Sequence, residues 1–491
     1  MKLWPPLAVL CSLLAVDLVW AAHSFENTAI VRTVELGGSL VHVTTTYAIK
    51  SLEAGSSRYT IALGRDEHQK TSWLEVRLKG QQAALPFERH GTHLDNEVYL
   101  YDVTLPKALA TNGTANIVVE TVQTHATYPW PQEAAQSEDQ ALKYESDLFV
   151  LSPYETSVQR TKLRSSTPSI LSFTQPEEVS FATENPATKS GTTVTYGPYY
   201  NIPASASSDF IAAHQQHVTV QYNHGFPVLE VTKLKRAAEV SHWGANLNIQ
   251  DEIILHNAGP RLKGHFSRLQ HQTQSYYNRP APHVLSWATL LLPAGISNVY
   301  YYDLIGNVST SRLRTAPSPP KGLSQAALNN HFSTLEIRPR YPLMGGWNYS
   351  FTLGWDAPLG DSAVWDAKTG KYILGVPVMT LIPGAVVDEA EVKIVLPEGA
   401  SDIEFFAPFP ALSNTLSTHI SYLDTTGRPA VTFEYKDLTD KHTGTIYITY
   451  KVPFLAHLKK PIAVGMAFFA LFSLAMGWRR VDTRIHTKQK L

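Results

Sequence analysis

Apolar and polar residues alternate one for one along most of the chain. Between Ser39 and Lys50, the residues Val41, Val43, Thr45, Tyr47 and Ile49 alternate with His42, Thr44, Thr46 and Ala48. A period of two buries one set and wets the other, which predicts a strand. The run before it, Thr28 to Leu36, ends at Gly37-Gly38, so the two predict a hairpin. Further strands are predicted at Tyr59–Leu63, Leu74–Leu78, Val98–Val103, Asn116–Thr124 and His217–Tyr222. Later ones follow at Val284–Leu292, Ile296–Asp303, Tyr349–Leu353, Val386–Leu396, Ile403–Phe406, Ala430–Tyr435 and Gly444–Val452. Short strands at this spacing suit sandwiches. Two stretches break the pattern. Pro131 to Ser146 carries Glu133, Glu138 and Asp139 and suits a polar helix, with a strand from Asp147 to Leu151 after it. Gly197 to Ser208, GPYYNIPASASS, has the composition of a loop.

Near residue 230 the pattern starts again. VELGGSLVHVTTTYAIKS, from Val34, lies without a gap on VSHWGANLNIQDEIILHN, from Val240. Gly38 falls on Gly244, and Val41, Val43, Tyr47 and Ile49 fall on Leu247, Ile249, Ile253 and Leu255. A slip by one residue would put every apolar position on the wrong face. The expectation is a mainly β protein with two tandem β-sandwich-like domains, at 22–230 and 231–458.

The two ends break the alternation in a different way. Pro461 to Trp478, PIAVGMAFFALFSLAMGW, is apolar and uncharged, with Lys459-Lys460 before it and Arg479-Arg480 after it. A run of about 18 such residues crosses a hydrocarbon core as a helix, and paired basic residues mark its interfaces. A single transmembrane helix with basic flanks is predicted at 459–480. The tail 481–491 carries Arg484, Lys488 and Lys490 against Asp482, which places it in the cytosol and the rest on the far side. Lys2, the apolar run after it, and the small residues Val19 and Ala21 read as a secretory signal peptide over 1–21. Within the membrane run, Ala463, Ala467, Ala470 and Gly477 share one narrow arc and make a candidate face for packing another helix.

Composition removes several classes of function. The net charge is −1, against the basic surplus that nucleic-acid binding needs. The chain has 1 cysteine, Cys11, inside the predicted signal. The exported part therefore relies on core burial, and a thiolate nucleophile, thiolate zinc site or iron–sulfur site is excluded there. No HExxH, GxSxG or P-loop occurs. His214 and His217 stand in HQQH without a placed carboxylate, and Asp388, Glu389 and Glu391 read as solvated surface. No catalytic, cofactor-binding or metal-binding residue is assigned. Three sequons on the exported side, at Asn112, Asn307 and Asn348, are candidate glycosylation sites. Two turn-rich loops, Ser152–Thr156 and Arg338–Trp347, are candidate contact surfaces.

Four long strings carry a family resemblance: SDLFVLSPYETSVQRTKL (Ser146–Leu163), WGANLNIQDEIILHNAGPRLKGHFSR (Trp243–Arg268), YYYDLIGNVSTSRL (Tyr300–Leu313) and EIRPRYPLMGGWNYSFTLGW (Glu336–Trp355). They resemble ribophorin I, the type I subunit of the eukaryotic oligosaccharyltransferase, in that family's order. The resemblance implies a non-catalytic accessory subunit of the endoplasmic-reticulum complex that moves an oligosaccharide from dolichyl diphosphate to asparagine in Asn-x-Ser/Thr. It implies the complex's other subunits as partners, including the many-spanning catalytic one, and extends to nascent polypeptide and the translocon. The catalytic subunit's tryptophan-tryptophan-aspartate motif is absent here, because no two tryptophans are adjacent. Animal members have a longer cytosolic domain than the tail here, which puts a ribosome-docking role in doubt. The readings set against this one are a membrane-anchored peptidase-like ectoenzyme and a surface receptor or adhesion protein.

Overall fold

The computed structural model describes residues 24–481, apart from 94–96, 178, 183–185, 278–280, 321–330 and 422–423. The predicted signal peptide and most of the predicted tail lie outside the described residues. The first half runs through β1 (Phe25–Leu36), β2 (Leu40–Ser51), β3 (Ser56–Gly64), β4 (Thr71–Leu78), β5 (Phe87–His93), β6 (Val98–Leu109), β7 (Thr114–Thr124), β8 (Thr127–Pro129), β9 (Glu133–Ala134), β10 (Ala141–Asp147), β11 (Thr156–Ser165), β12 (Ile170–Phe173), β13 (Ala187–Ser190), β14 (Thr193–Ile202) and β15 (His217–Asn223). The second runs through β16 (Leu229–Ser241), β17 (Asn246–Asn257), β18 (Arg261–Leu262), β19 (Ala288–Pro293), β20 (Ser297–Asp303), β21 (Gly306–Asn307), β22 (Ser311–Arg314), β23 (Phe332–Ile337), β24 (Asn348–Pro358), β25 (Ala363–Asp366), β26 (Lys371–Pro377), β27 (Val386–Val395), β28 (Ser401–Phe406), β29 (Ser413–His419), β30 (Arg428–Leu438) and β31 (Thr445–Lys451).

The two halves repeat one topology across three sheets. The large sheet of the first is β13-β14-β11-β1-β2-β7-β4; that of the second is β29-β30-β27-β16-β17-β24-β20, with β21 added at the edge. The small sheet β3-β6-β5 is matched by β19-β23-β22, and β12-β15-β10-β8 by β28-β31-β26-β25. In each half the opening strand pairs in parallel with one neighbour, β1 with β11 and β16 with β27. The inner face of each large sheet is apolar, and the two small sheets cover it. In the first repeat Val34, Val41 and Val43 pack with Tyr144, Val218 and Tyr222, while Tyr47, Ile49 and Ile117 pack with Tyr59, Ile61 and Val103. In the second repeat Leu234, Ile249 and Ile253 share one core with Leu290, Leu335, Leu374 and Ile448.

The hairpins agree in detail. Each breaks its ladder with a bulge, at Thr28 and at Thr232. Each bulge threonine donates its hydroxyl to the facing strand, Thr28 to the Ala48 carbonyl and Thr232 to the Ile254 carbonyl. Four residues on, each strand turns an arginine into the core, Arg32 and Arg236, at 2% and 1% exposure. The ungapped sequence match is therefore right for β17 and two residues out for β16. A shift of two preserves the face, so the apolar positions still agreed.

The buried arginines find different anions. Arg236 faces Asp251 across the hairpin and grips both carboxylate oxygens, at 2.7 and 2.6 Å. It also donates to the Pro377 carbonyl and to Thr380 Oγ1, and it lies over the Trp355 ring. Arg32 faces Thr45, which offers no charge, and reaches Glu67 of the Arg65–Lys70 helix at 2.6 Å.

Several sequence expectations are corrected. Pro131–Ser146 is no helix: β9 pairs with β18, and β10 alternates buried Leu142 and Tyr144 with Lys143 and Glu145. The predicted strand Asp147–Leu151 is instead the end of β10 and a buried, non-strand turn. Much of Gly197–Ser208 continues β14, with Tyr199 and Ile202 buried. Pro198 is tolerated because it falls at a bulge, between the pairs Tyr196–Thr161 and Tyr199–Gln159 with β11. Strands β25 and β29 escaped notice because they lie at sheet edges and contribute no fully buried residue.

Replacing Arg236 by methionine leaves Asp251 charged and unpaired in the core. The expected loss, read as the denaturant midpoint of the full chain, is about 3–5 kcal/mol. The double variant Arg236→Met, Asp251→Leu is expected to lose much less, and equal losses would contradict the pairing.

Candidate functional site

Two places join parts distant in sequence. The first is the junction between the repeats. Strands β9 and β18 have no counterpart in the duplication; they pair in parallel with each other and tie one repeat to the other. Beside them Gln136 and the Ser267 backbone exchange two hydrogen bonds of 2.9 Å. Leu40, Val122 and Val386 form an apolar contact with Trp73 across the boundary.

His125 closes this junction. It follows β7 with φ of 52°, which turns its ring out of the first repeat. Nδ1 lies 3.2 Å from Glu230 and Nε2 lies 3.0 Å from Asp388, both in the second repeat. Hydrogen bonds to Asp388 and then Glu230 raise its pKa to about 10, so the ring is an imidazolium at neutral pH. Asp437 stands close enough that His125, Asp388 and Asp437 could together hold a cation. Both ring nitrogens already face carboxylates, so a metal would compete with the proton. The sequence reading missed this cluster and put Asp388 on solvated surface; His125 and Asp388 are 263 residues apart, and no motif spacing links them.

The second place is the foot of the terminal helix. The helix spans Phe454–Arg480 and starts two residues after β31. Its first turns are held by the second repeat: Lys460 reaches Asp424 at 2.8 Å, Lys459 reaches Thr426 Oγ1 at 3.2 Å, and Trp243 donates Nε1–H to the His457 carbonyl at 2.9 Å. No residue of the helix is buried, and it is long and apolar enough to cross a membrane. Ala463, Ala467, Ala470 and Gly477 all lie on this exposed helix.

Asn112, Asn307 and Asn348 are exposed, in a turn, at the end of β21 and at the start of β24. The Asn348 amide oxygen pairs with His256. His214 packs against Phe181 and Phe210, whereas His217 pairs with Asp147 at 2.9 Å, so the two do not form one site. Of the two candidate contact loops, Ser152–Thr156 is largely buried, whereas Arg338–Trp347 keeps Arg338, Arg340 and Tyr341 exposed. Ser152 and Tyr154 are buried, Ser152 Oγ accepts from Asn27, and Tyr154 Oη accepts from the Thr60 N–H. In the second loop Leu343 and Met344 are fully buried, and Arg340 is paired with Asp303.

Comparison with known proteins settles the family. The profile of the Ribophorin I family matches residues 25–479. The chain belongs to the ribophorin I family. Its relatives include dolichyl-diphosphooligosaccharide–protein glycosyltransferase subunit 1 of Caenorhabditis elegans, 29% identical over 95% of this chain and 74% of that protein. Subunit 1B of Arabidopsis thaliana is 32% identical over 80% and 77%. Among solved structures, leukotriene A4 hydrolase from Saccharomyces cerevisiae aligns with 41% of this chain and 29% of its own at 12% identity, with a TM-score of 0.26. An M1 zinc metallopeptidase from Deinococcus radiodurans aligns with 44% and 48% at 11% identity and a TM-score of 0.24. Likenesses this low transfer neither fold nor activity. The ribophorin I match fits the long, ordered strings in the sequence and takes in both repeats and the terminal helix.

The His125 clasp has a signed pH dependence. Its folded pKa is raised above the ordinary 6.5, so its stabilisation is complete below pH 6.5 and lost as pH rises toward about 10. The ring is half exposed, which limits the effect to about 1 kcal/mol or less. In thermal unfolding of the full chain, His125→Gln is expected to melt below the parent at pH 6.5 and with it near pH 10. A gap constant across that range would contradict the clasp.

Proposed function

We propose that the chain is a non-catalytic accessory subunit of oligosaccharyltransferase, the complex that glycosylates asparagine in Asn-x-Ser/Thr. The observation that carries this reading is the family match, which spans both repeats and an apolar helix left uncovered by the other described residues. The relatives' names place them as subunit 1 of that enzyme. A helix with no buried residue in its own chain needs either lipid or other helices around it, and the arc of Ala463, Ala467, Ala470 and Gly477 allows close approach. On this reading the chain is a type I protein of the endoplasmic reticulum membrane with residues 1–21 removed. The repeats are then lumenal domains at 22–230 and 231–458, with β16, the first strand of the second repeat, beginning two residues before that boundary. Asn112, Asn307 and Asn348 would be open to glycan. The partners are the other subunits, the many-spanning catalytic one included; nascent polypeptide and the translocon are reached through them.

The test is purification of the tagged full chain in mild detergent. The expected result is a many-spanning transferase in equal amount, with glycan transfer in the complex and none in the chain alone. Ala467→Leu with Ala470→Leu is expected to reduce recovery of the partner at least several-fold while the chain remains folded. A monodisperse lone chain, or transfer by it unaided, would overturn the reading.

A further inference from the structure

The foot of the helix holds a cleft of about 420 Å³ between the second repeat and the first turns of the membrane run. Its lining is polar at Glu398, Arg428 and Lys460 and apolar at Val240, Pro461 and Val464. Trp243, 67% exposed, stands at the rim. Val464 belongs to the membrane run, so the cleft opens where the helix enters the bilayer. An occupant needs a polar end and an apolar tail.

Glu398 says which polar end. It is 7% exposed, and its Oε1 accepts from the backbone and hydroxyl of both Thr425 and Thr426, at 2.6–3.1 Å. Its Oε2 is buried and has no hydrogen-bond partner among the described residues. Burial raises the carboxyl, but the threonine donors outweigh it and lower it to about 2, so the group is an anion. An ionised buried oxygen calls for a cationic donor. The protein's own cations are engaged elsewhere than at Oε2: Lys460 pairs with Asp424, Arg428 with Glu239 and Asp424, and Lys459 stands 3.2 Å from Thr426 Oγ1 and 3.8 Å from Glu398 Oε1. Arg428, Lys459 and Lys460 against Glu239, Asp424 and Glu398 leave the foot neutral, which suits a zwitterion better than an anionic lipid.

We infer that this cleft binds one phospholipid with an ethanolamine headgroup, from the leaflet on the side of the repeats. Its ammonium donates to Glu398 Oε2, its phosphate faces Arg428 and Lys460, and an acyl chain follows Pro461 and Val464 along the helix. A choline headgroup has no N–H to donate and leaves Oε2 unpaired. The proposal rests on the helix lying in a membrane and not on membership of any complex.

The test reconstitutes the full chain in nanodiscs of equal ethanolamine and choline phospholipid and counts retained lipid by native mass spectrometry. The parent is expected to keep one ethanolamine lipid in preference to choline. Glu398→Gln, which removes the charge, is expected to lower that retention about tenfold and abolish the preference. Val464→Trp fills the apolar side, leaves the carboxylate network intact, and is expected to lower retention as well, so the result does not depend on Glu398→Gln folding. Equal retention of the two lipids by the parent, no retained lipid, or parental retention in Val464→Trp would overturn the proposal.

Discussion

Each large sheet has one apolar face that must be kept from water, and nearly all of the chain follows from that. A single sheet cannot bury its own face, so each repeat lays two smaller sheets over it. The result holds without any disulfide, as the cysteine content requires. The opening hairpin sets the geometry. Its threonine bulge accentuates the twist, and the arginine four residues later comes to lie in the covered face. A guanidinium in an apolar layer demands an anion nearby. The second repeat supplies it from the facing strand and the first from a short helix, which marks Asp251 and Glu67 as separate answers to one inherited constraint.

The sequence showed the parts of the fold that obey a period. Strands buried on one face, such as β2 and β17, were legible because alternation reports burial directly. The duplication was legible from the same hairpin, although the gap that aligns Thr28 with Thr232 and Arg32 with Arg236 was not. The edge strands β25 and β29 left no periodic trace, β23 and β26 went unread although they alternate, and glycine and proline in β14 imitated a loop. The interaction sites were the least legible. His125 and Asp388 meet only because the repeats do, and Glu398 is defined by what its second oxygen lacks. The loop around Tyr154, chosen for unusual chemistry, is packing, and the one around Met344 buries Leu343 and Met344 while Arg338 and Tyr341 stay exposed: a distinctive side chain in a tight turn can be serving the core.

The repeats, the junction and the foot make one mechanical unit. Parallel pairing of β9 with β18, the Leu40–Val386 contact and the His125 clasp restrain one repeat against the other. Lys459, Lys460 and Trp243 restrain the helix against the second repeat. What remains unrestrained is the helix beyond its foot, which carries apolar side chains on every face and none of the other described residues against them. A body this tightly held and a rod this exposed suit a part that positions neighbours.

The most direct measurement of that claim is site-directed cross-linking in native membranes. Cys11 is the chain's only cysteine, so with Cys11 changed to serine a single cysteine can be introduced at Ala467 or, on the opposite side of the helix, at Phe472. The account predicts that the first position captures another membrane polypeptide and the second does not. Capture at neither position, or equally at both, would contradict it.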